Sequence, residues 1–348
     1  MNKNIHKKVF VGIDVHKKTY SLSAVCNQEI IKKCTMPADP FGLLSFLHKT
    51  FKGSEIITAY EAGFSGFALQ RFLSGNGVTC LVVHPASIEI ASRERVKTDK
   101  RDSLKIAVQL SSGRLKSVFI PEKQREDFRI LTRLRNGLAK DKAKKGTQLK
   151  ALLYQLGKIK HDDRFNISLK WIHEVLSMGF SPDQYIVIKS ICDQWIYLAN
   201  EIKKIDQELV LQAQRDKKLH GIYSSIPGFG PVVSRVMANE LGDMSQFANE
   251  RQLFSYTGLT PREYSSGEHR RLGHISKPLL RKMLVQATWK AILVDEGLLE
   301  IYSRISLKRG KKRAIVAVAR RLIGRARKCI KSGNSYSLRR IMTSTTPW

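Results

Sequence analysis

The stretch Lys8 to Val25, KVFVGIDVHKKTYSLSAV, alternates apolar with small or polar residues on both sides of the polar step HKK. Period-two alternation interrupted by a short polar turn predicts a hairpin of two strands. On the first strand Phe10, Gly12 and Asp14 share one face, while Val9, Val11, Ile13 and Val15 share the other. Asp14 thus ends an apolar run as a carboxylate pointing out of the sheet, beside backbone opened by Gly12. EIIKKCTMP extends the meander, and SEIITAYE (Ser54 to Glu61) reads as another strand on which Glu61 shares a face with Ile57 and Ala59. Gly63, the helical stretch FSGFALQRFL and the strand GVTCLVVHP follow. A meander followed by strand, helix and strand is the order of a mixed sheet flanked by helices, an α/β arrangement. Ser87 to Gln109 begins charged and becomes amphipathic, as a loop entering a helix does.

After Pro121 the pattern turns helical. Leu131, Leu134 and Leu138, then Leu149, Leu152, Leu153 and Leu156, recur at helical spacing with Lys and Arg between them. Beyond a break at Ser181-Pro182, the residues Ile188, Ile191, Trp195, Leu198, Ile202, Ile205 and Leu209 alternate steps of three and four, the period of a coiled-coil seam. Its partner is either the first helical stretch or a second subunit. A third region opens with IPGFGPVVSRVMANEL, where Gly228 and Gly230 precede a helix whose N-terminal amides can hold a phosphate. The chain therefore divides into an α/β region (1–120), a helical region (121–215) and a mainly helical C-terminal region (216–348). Ala314 to Ile330 forms a basic helix with Ile315, Ala319, Leu322 and Ala326 on one face.

The 348 residues carry 61 Lys and Arg against 30 Asp and Glu, a formal charge of +31. Such an excess matches a polyanion, nucleic acid above all, with a membrane surface as the other candidate. No apolar stretch reaches the length of a bilayer span. The five cysteines are scattered, without CxxC pairs, so neither a zinc site nor a disulfide framework is expected. A reducing cytoplasm, at the nucleoid, is the expected location.

In so basic a chain the acids are informative. VKTDKRDSLKIA sets Asp99 and Asp102 three apart, on one face of a helix. Each carboxylate has an ordinary reading: Asp14 capping a turn, Glu61 on the surface, Asp99 or Asp102 as an N-cap. Together, at the ends of two strands and the start of a helix, Asp14, Glu61, Asp99 and Asp102 can converge on hard cations such as Mg²⁺. In TPREYSSGEHRR, Ser265 and Ser266 lie beside Arg262, Arg270 and Arg271, with Lys277 downstream. Guanidinium groups that hold a phosphate can support attack by a serine hydroxyl, or the same residues can form a Ser-Gly turn on a DNA-binding surface. His16, His84 and His269 have no partner at motif spacing and read as surface or turn histidines. The tryptophans read as core residues.

GIDVHKKTYSLSAV, YEAGFSGFALQRFL and KTDKRDSLKIAVQL resemble the three acidic motifs of the DEDD insertion-sequence transposases, a group that includes the Piv/MooV DNA invertases. The segment from Ser225 to Lys277 is similar to that group's C-terminal transposase domain, although Lys277 runs directly into Pro278 where the family has a Gly-containing turn. The resemblance implies a RuvC-like catalytic domain of RNase H fold, with the acidic tetrad at Asp14, Glu61, Asp99 and Asp102 binding Mg²⁺. It implies a nucleophile among Ser265 and Ser266 that links covalently to DNA, with Ser266 the slight favourite. Partners implied are element-end and target DNA, a structured guide RNA of the kind bridge recombinases use, and further copies of the chain as a dimer or tetramer. The alternatives are a RuvC-like endonuclease such as a junction resolvase, using water, and a non-catalytic nucleic-acid-binding protein.

Overall fold

The computed structural model describes residues 7–89, 99–160, 166–260, 263–266, 269–272 and 278–338. The chain forms two units, Met1–Pro121 and Glu122–Trp348, so the helical middle and the C-terminal region fall in one unit.

In the first unit, β1 (Lys8–Val15), β2 (Thr19–Cys26) and β3 (Glu29–Pro37) form the expected meander. Asn27 and Gln28 both take positive φ, which the tight two-residue turn between β2 and β3 requires. Helix α1 (Pro40–Thr50), β4 (Glu55–Glu61), α2 (Ala68–Gly75), β5 (Thr79–Val83) and α3 (Asp99–Ser111) follow. The sheet order is β3-β2-β1-β4-β5, antiparallel through the meander and parallel from β1 to β4 to β5.

The alternation read from β1 sorts the two faces as expected. Val9, Val11 and Ile13 join Leu43 and Leu47 of α1 and Leu69 and Leu73 of α2 in one buried cluster. Phe10, Ile57 and Ala59 face the other way, with Ile106 and Leu110 of α3. Both faces of β1 and β4 are covered, which is why these strands tolerate apolar residues at nearly every position.

The second unit begins with α4 (Lys123–Gln155), followed by α5 (Leu169–Leu176) and α6 (Pro182–Arg215). Ser181 and Gln184 close a capping box at the start of α6, at the break marked by Ser181-Pro182. The seam of α6 is buried against α4 of the same chain: Ile188, Ile191, Trp195, Ile202, Ile205 and Leu209 are inside, and Leu198 is half-buried. The two helices run antiparallel, because Arg135 early in α4 pairs with Asp206 late in α6, at 2.7 and 3.1 Å. Further on, Leu149 and Leu153 share a cluster with Ile188, Ile191 and Trp195 near the start of α6. Helices α1 and α5 stand outside the sequence expectations. Their start signals are Asp39, which accepts from the amides of Phe41 and Gly42, and Ser168, which accepts from Trp171.

Next come α7 (Lys217–Ser224), α8 (Pro231–Leu241), α9 (Glu250–Tyr256), the hairpin β6 (Glu263–Ser266) and β7 (His269–Leu272), then α10 (Pro278–Ala291), α11 (Glu296–Arg309) and α12 (Lys311–Ser332). Their core includes Tyr223, Phe229, Met237, Leu253, Leu284 and Leu322. Ile315, Ala319, Leu322 and Ala326 of α12 are all buried, as their spacing predicts.

A ladder of arginines fastens α4 to the end of α8. Arg125 donates to the Ala238 carbonyl at 2.6 Å, and Arg129 to those of Asn239 and Glu240 at 3.0 and 2.8 Å. Arg133 grips the Glu240 carboxylate with two bonds of 2.7 and 3.0 Å. Steps of four place the three arginines on one face of α4: Arg129 satisfies the last carbonyls of α8, Arg125 adds a second donor to the Ala238 carbonyl, which also accepts from the Gly242 amide, and Arg133 pairs with the Glu240 side chain. Part of the chain's positive charge is therefore structural.

Candidate active site

The register of β1 with β4 runs from Lys8↔Glu55 to Ile13↔Tyr60. One residue further along both strands, Asp14 stands level with Glu61, and neighbouring strands lie about 4.8 Å apart. Asp14 shares the face of Gly12, and that face is the one α3 covers. A Cβ on Gly12 would come within 2.1 Å of the Ser103 carbonyl oxygen and 2.5 Å of the Ala107 nitrogen, so only glycine allows the α3 backbone this close. A buried hydrogen bond of 2.9 Å between the Ser23 and Ser103 hydroxyls fixes the same turn of α3 to β2. Asp102 precedes Ser103, so its helical turn is held beside the strand that carries Asp14.

Asp14 and Asp102 each have a basic side chain within hydrogen-bond reach. The His16 imidazole lies 3.1 Å from Asp14, and Lys105 donates to Asp102 at 3.1 Å. Asp14 and Asp102 are partly exposed, at 22% and 24% of their side chains, and Glu61 is exposed. Asp99 opens α3, but its side chain lies outside the described residues. Among the described residues, no three His, Cys, Asp or Glu side chains form a metal-binding group.

The serine motif forms the hairpin β6–β7, with Ser265 opposite Arg270 and Ser266 opposite His269. The side chains of Ser265, Ser266, Arg270 and Arg271 lie outside the described residues, as do Arg262, Gly267 and Lys277 altogether. The root of this segment is described. Arg281 of α10 donates to the Gly258 carbonyl at 2.8 Å, and Arg320 of α12 donates to that of Leu259 at 3.1 Å. Burial, and then the neighbouring Arg320 charge, hold the Arg281 guanidinium below its usual pKa range. Two cations on consecutive carbonyls thus brace the chain just before it enters the serine motif.

Gly228 and Gly230 serve separate ends. Gly228 has φ +78°, and a Cβ there would meet the Ala287 carbonyl oxygen at 2.1 Å, so this glycine admits α10. Gly230 caps α8 without a side-chain hydrogen bond. His84 is a turn histidine whose Nδ1 accepts from the Ala86 amide at 3.0 Å. His16, by contrast, has a partner that motif spacing does not reveal, because the β1–β2 turn folds it back onto Asp14. Arg281 and Arg320 also carry no motif, and their role emerges only when α10 and α12 pack on the loop after α9.

Two family models match the chain in the order its two units take. Residues 11–157 match the DEDD transposase of the IS110 group, and residues 221–303 match the transposase of the IS116/IS110/IS902 family. Similar proteins include the transposase for insertion sequence IS1533 of Leptospira borgpetersenii, 27% identical over 90% of this chain and 93% of the relative. The transposase for IS1111A of Coxiella burnetii is 26% identical over 72% of this chain and 70% of its own length. That for IS1328 of Yersinia enterocolitica is 25% identical over 66% and 69%. The first match contains Asp14, Glu61, Asp99 and Asp102 and the second contains Ser265 and Ser266, and the chain belongs to the IS110-type DEDD insertion-sequence transposases.

Proposed function

We propose that this chain is a site-specific DNA recombinase that excises and inserts a mobile element by serine phosphoryl transfer, guided by a structured RNA. One observation carries the catalytic part: Asp14 stands level with Glu61, on the sheet face where Gly12 admits the first turns of α3. The strand order, an antiparallel meander extended by two parallel strands, supports a RuvC-like domain of RNase H fold. A donor set made only of carboxylates suits Mg²⁺, and Asp14, Glu61, Asp99 and Asp102 would hold it. Bound there, the ion would neutralise and polarise the oxygens of the scissile phosphate.

The protein's own step is attack by the hydroxyl of Ser265 or Ser266 on phosphorus. One Oγ–P bond forms, one bridging P–O bond breaks, and the released sugar oxygen ends as a hydroxyl, taking up a proton as the serine loses one. The ester conserves the bond for rejoining when a new sugar hydroxyl attacks it. Arg262, Arg270, Arg271 and Lys277 would hold phosphates around the hairpin, and the N-terminal amides of α8, which Gly230 leaves without a side-chain cap, would hold another. Gly228 contributes by allowing the turn. Assembly as a dimer or tetramer would supply several hairpins and carboxylate sets to one recombination site. The α6 seam is already filled by α4, so such assembly would use other surfaces. Guidance by RNA accounts for a charge excess larger than one duplex needs.

Cleavage of element-end DNA with Mg²⁺ tests this reading. Asp14→Asn should lose nearly all strand cleavage while still binding DNA. Wild-type cleavage by that variant would remove the carboxylates from the chemistry, and loss-free cleavage after replacing both serines with alanine would favour an endonuclease that uses water.

A further inference from the structure

We infer that the groove between α9, α11 and α12 is a second nucleic-acid site, one that holds a phosphodiester backbone away from the serine motif itself. It rests on the reading that the protein handles nucleic acid, and it adds the place. The groove has a volume of about 1360 Å³, above the roughly 300 to 1,000 Å³ typical of small-molecule pockets. Its cationic lining comprises Arg251, Arg304, Arg320, Arg321, Arg325 and Lys328, against the single carboxylate of Glu250. Only Arg325 among the six forms an ion pair with a described carboxylate, and that partner, Asp295, is fully buried behind it at 3.1 Å.

The wall is built rather than adventitious. Asp295 accepts two bonds from Arg325, at 3.2 and 3.1 Å, and one from the Tyr336 hydroxyl at 2.7 Å. The Tyr336 amide is in turn held by the Ser225 hydroxyl at 2.8 Å. This network fixes the segment after α12 as one side of the groove. Arg251, Arg304, Arg321 and Lys328 remain exposed toward solvent. Four exposed cations spread over three helices, above an apolar floor that includes Phe254, Ile301 and Ile305, fit a repeating anion better than a compact one. Helix α12 lies beyond both matched family segments, whereas α9 lies within the second. Arg320 belongs both to the groove and to the brace on Leu259, which links the groove to the chain entering the serine hairpin.

The test measures binding of labelled single-stranded DNA, duplex DNA and an RNA hairpin to the full chain across a salt series. Neutralising Arg304, Arg321 and Lys328 together to glutamine should lower the slope of log affinity against log salt by about two to three for at least one probe, since each lost phosphate contact on duplex removes roughly 0.9. The probe most affected identifies the occupant. Neutralising Lys33, Lys49 and Lys52, exposed on the first unit, removes the same charge and should change the slope by less than one. Equal effects from both triples, or no effect from the groove triple on any probe, would overturn the inference. In the wild-type chain, bound nucleic acid should protect Lys328 from acylation, and full reactivity of Lys328 at saturating probe would overturn it independently. Cleavage is not the readout, so a failure here is separable from a failure of the catalytic reading, which Asp14→Asn probes.

Discussion

Asp14 and Glu61 stand level across the parallel strands β1 and β4, one residue past the Ile13↔Tyr60 pair, and both lie on the face covered by α3. Two carboxylates at that separation repel unless a cation lies between or beside them. Glu61→Gln should reduce Mg²⁺-dependent cleavage about a thousandfold, roughly 4 kcal/mol of barrier, with an unchanged melting temperature. Single-turnover cleavage assays and thermal denaturation check this. A variant that melts early instead would make Glu61 a structural residue.

Gly12 sets the distance between α3 and the sheet, so a single methyl should be felt at both places. Gly12→Ala should destabilise the first unit by about 1 to 3 kcal/mol, because the added Cβ overlaps the Ser103 carbonyl and the helix must retreat. Retreat carries Asp102 with it and should depress cleavage as well. Gly63→Ala, where the nearest atom would be 3.9 Å away, is the matched control and should leave both nearly unchanged. Urea denaturation of the two variants measures the difference.

The arginine ladder gives a graded prediction. Arg129 is nearly buried and satisfies two carbonyls of α8, so Arg129→Ala should cost about 2 to 4 kcal/mol. Arg125→Ala loses one such bond and should cost about 1 kcal/mol. Equilibrium unfolding that ranks them the other way would contradict the role assigned to α4.

His220 predicts a pH dependence. Burial, and then the nearby Arg235 charge, hold its imidazole below the ordinary value of 6.5, and its Nδ1 is buried without a hydrogen-bond partner among the described residues. As pH falls through 6.5 the unfolded chain takes up this proton before the folded chain does. Stability from this group is therefore fully present above that pH and lost as pH falls toward the folded value. His220→Gln should flatten that part of the curve of melting temperature against pH. Melting scans from pH 8 to pH 5 on both chains check it.

Much of the architecture could be read before any coordinates because it follows from local periodicity. The alternation in KVFVGIDV separates the Val9, Val11 and Ile13 face from the Gly12 and Asp14 face, and the three-four spacing from Ile188 to Leu209 marks the buried side of α6. Long-range facts were not legible. Nothing in the spacing says that α4 fills the α6 seam from the same chain, or that Arg125, Arg129 and Arg133 close the end of a helix more than a hundred residues away. These arginines look like any solvated basic face. The candidate carboxylates were visible as residues at strand ends and a helix start, yet their alignment depends on a parallel pairing between strands separated by some forty residues. His16 is the exposed turn histidine expected, but its contact with Asp14 was not legible, since it arises from turn geometry rather than from a motif.

The central claim is that a serine of the β6–β7 hairpin becomes joined to DNA. Element-end DNA labelled on either strand should be incubated with Mg²⁺ and the full chain, quenched in denaturant, digested with nuclease and protease, and the peptides weighed. The account predicts a nucleotide phosphoester on Ser265 or Ser266, absent from Asp14→Asn and from the double alanine variant. Cleaved DNA that accumulates with two free ends and no nucleotide on either serine would contradict it.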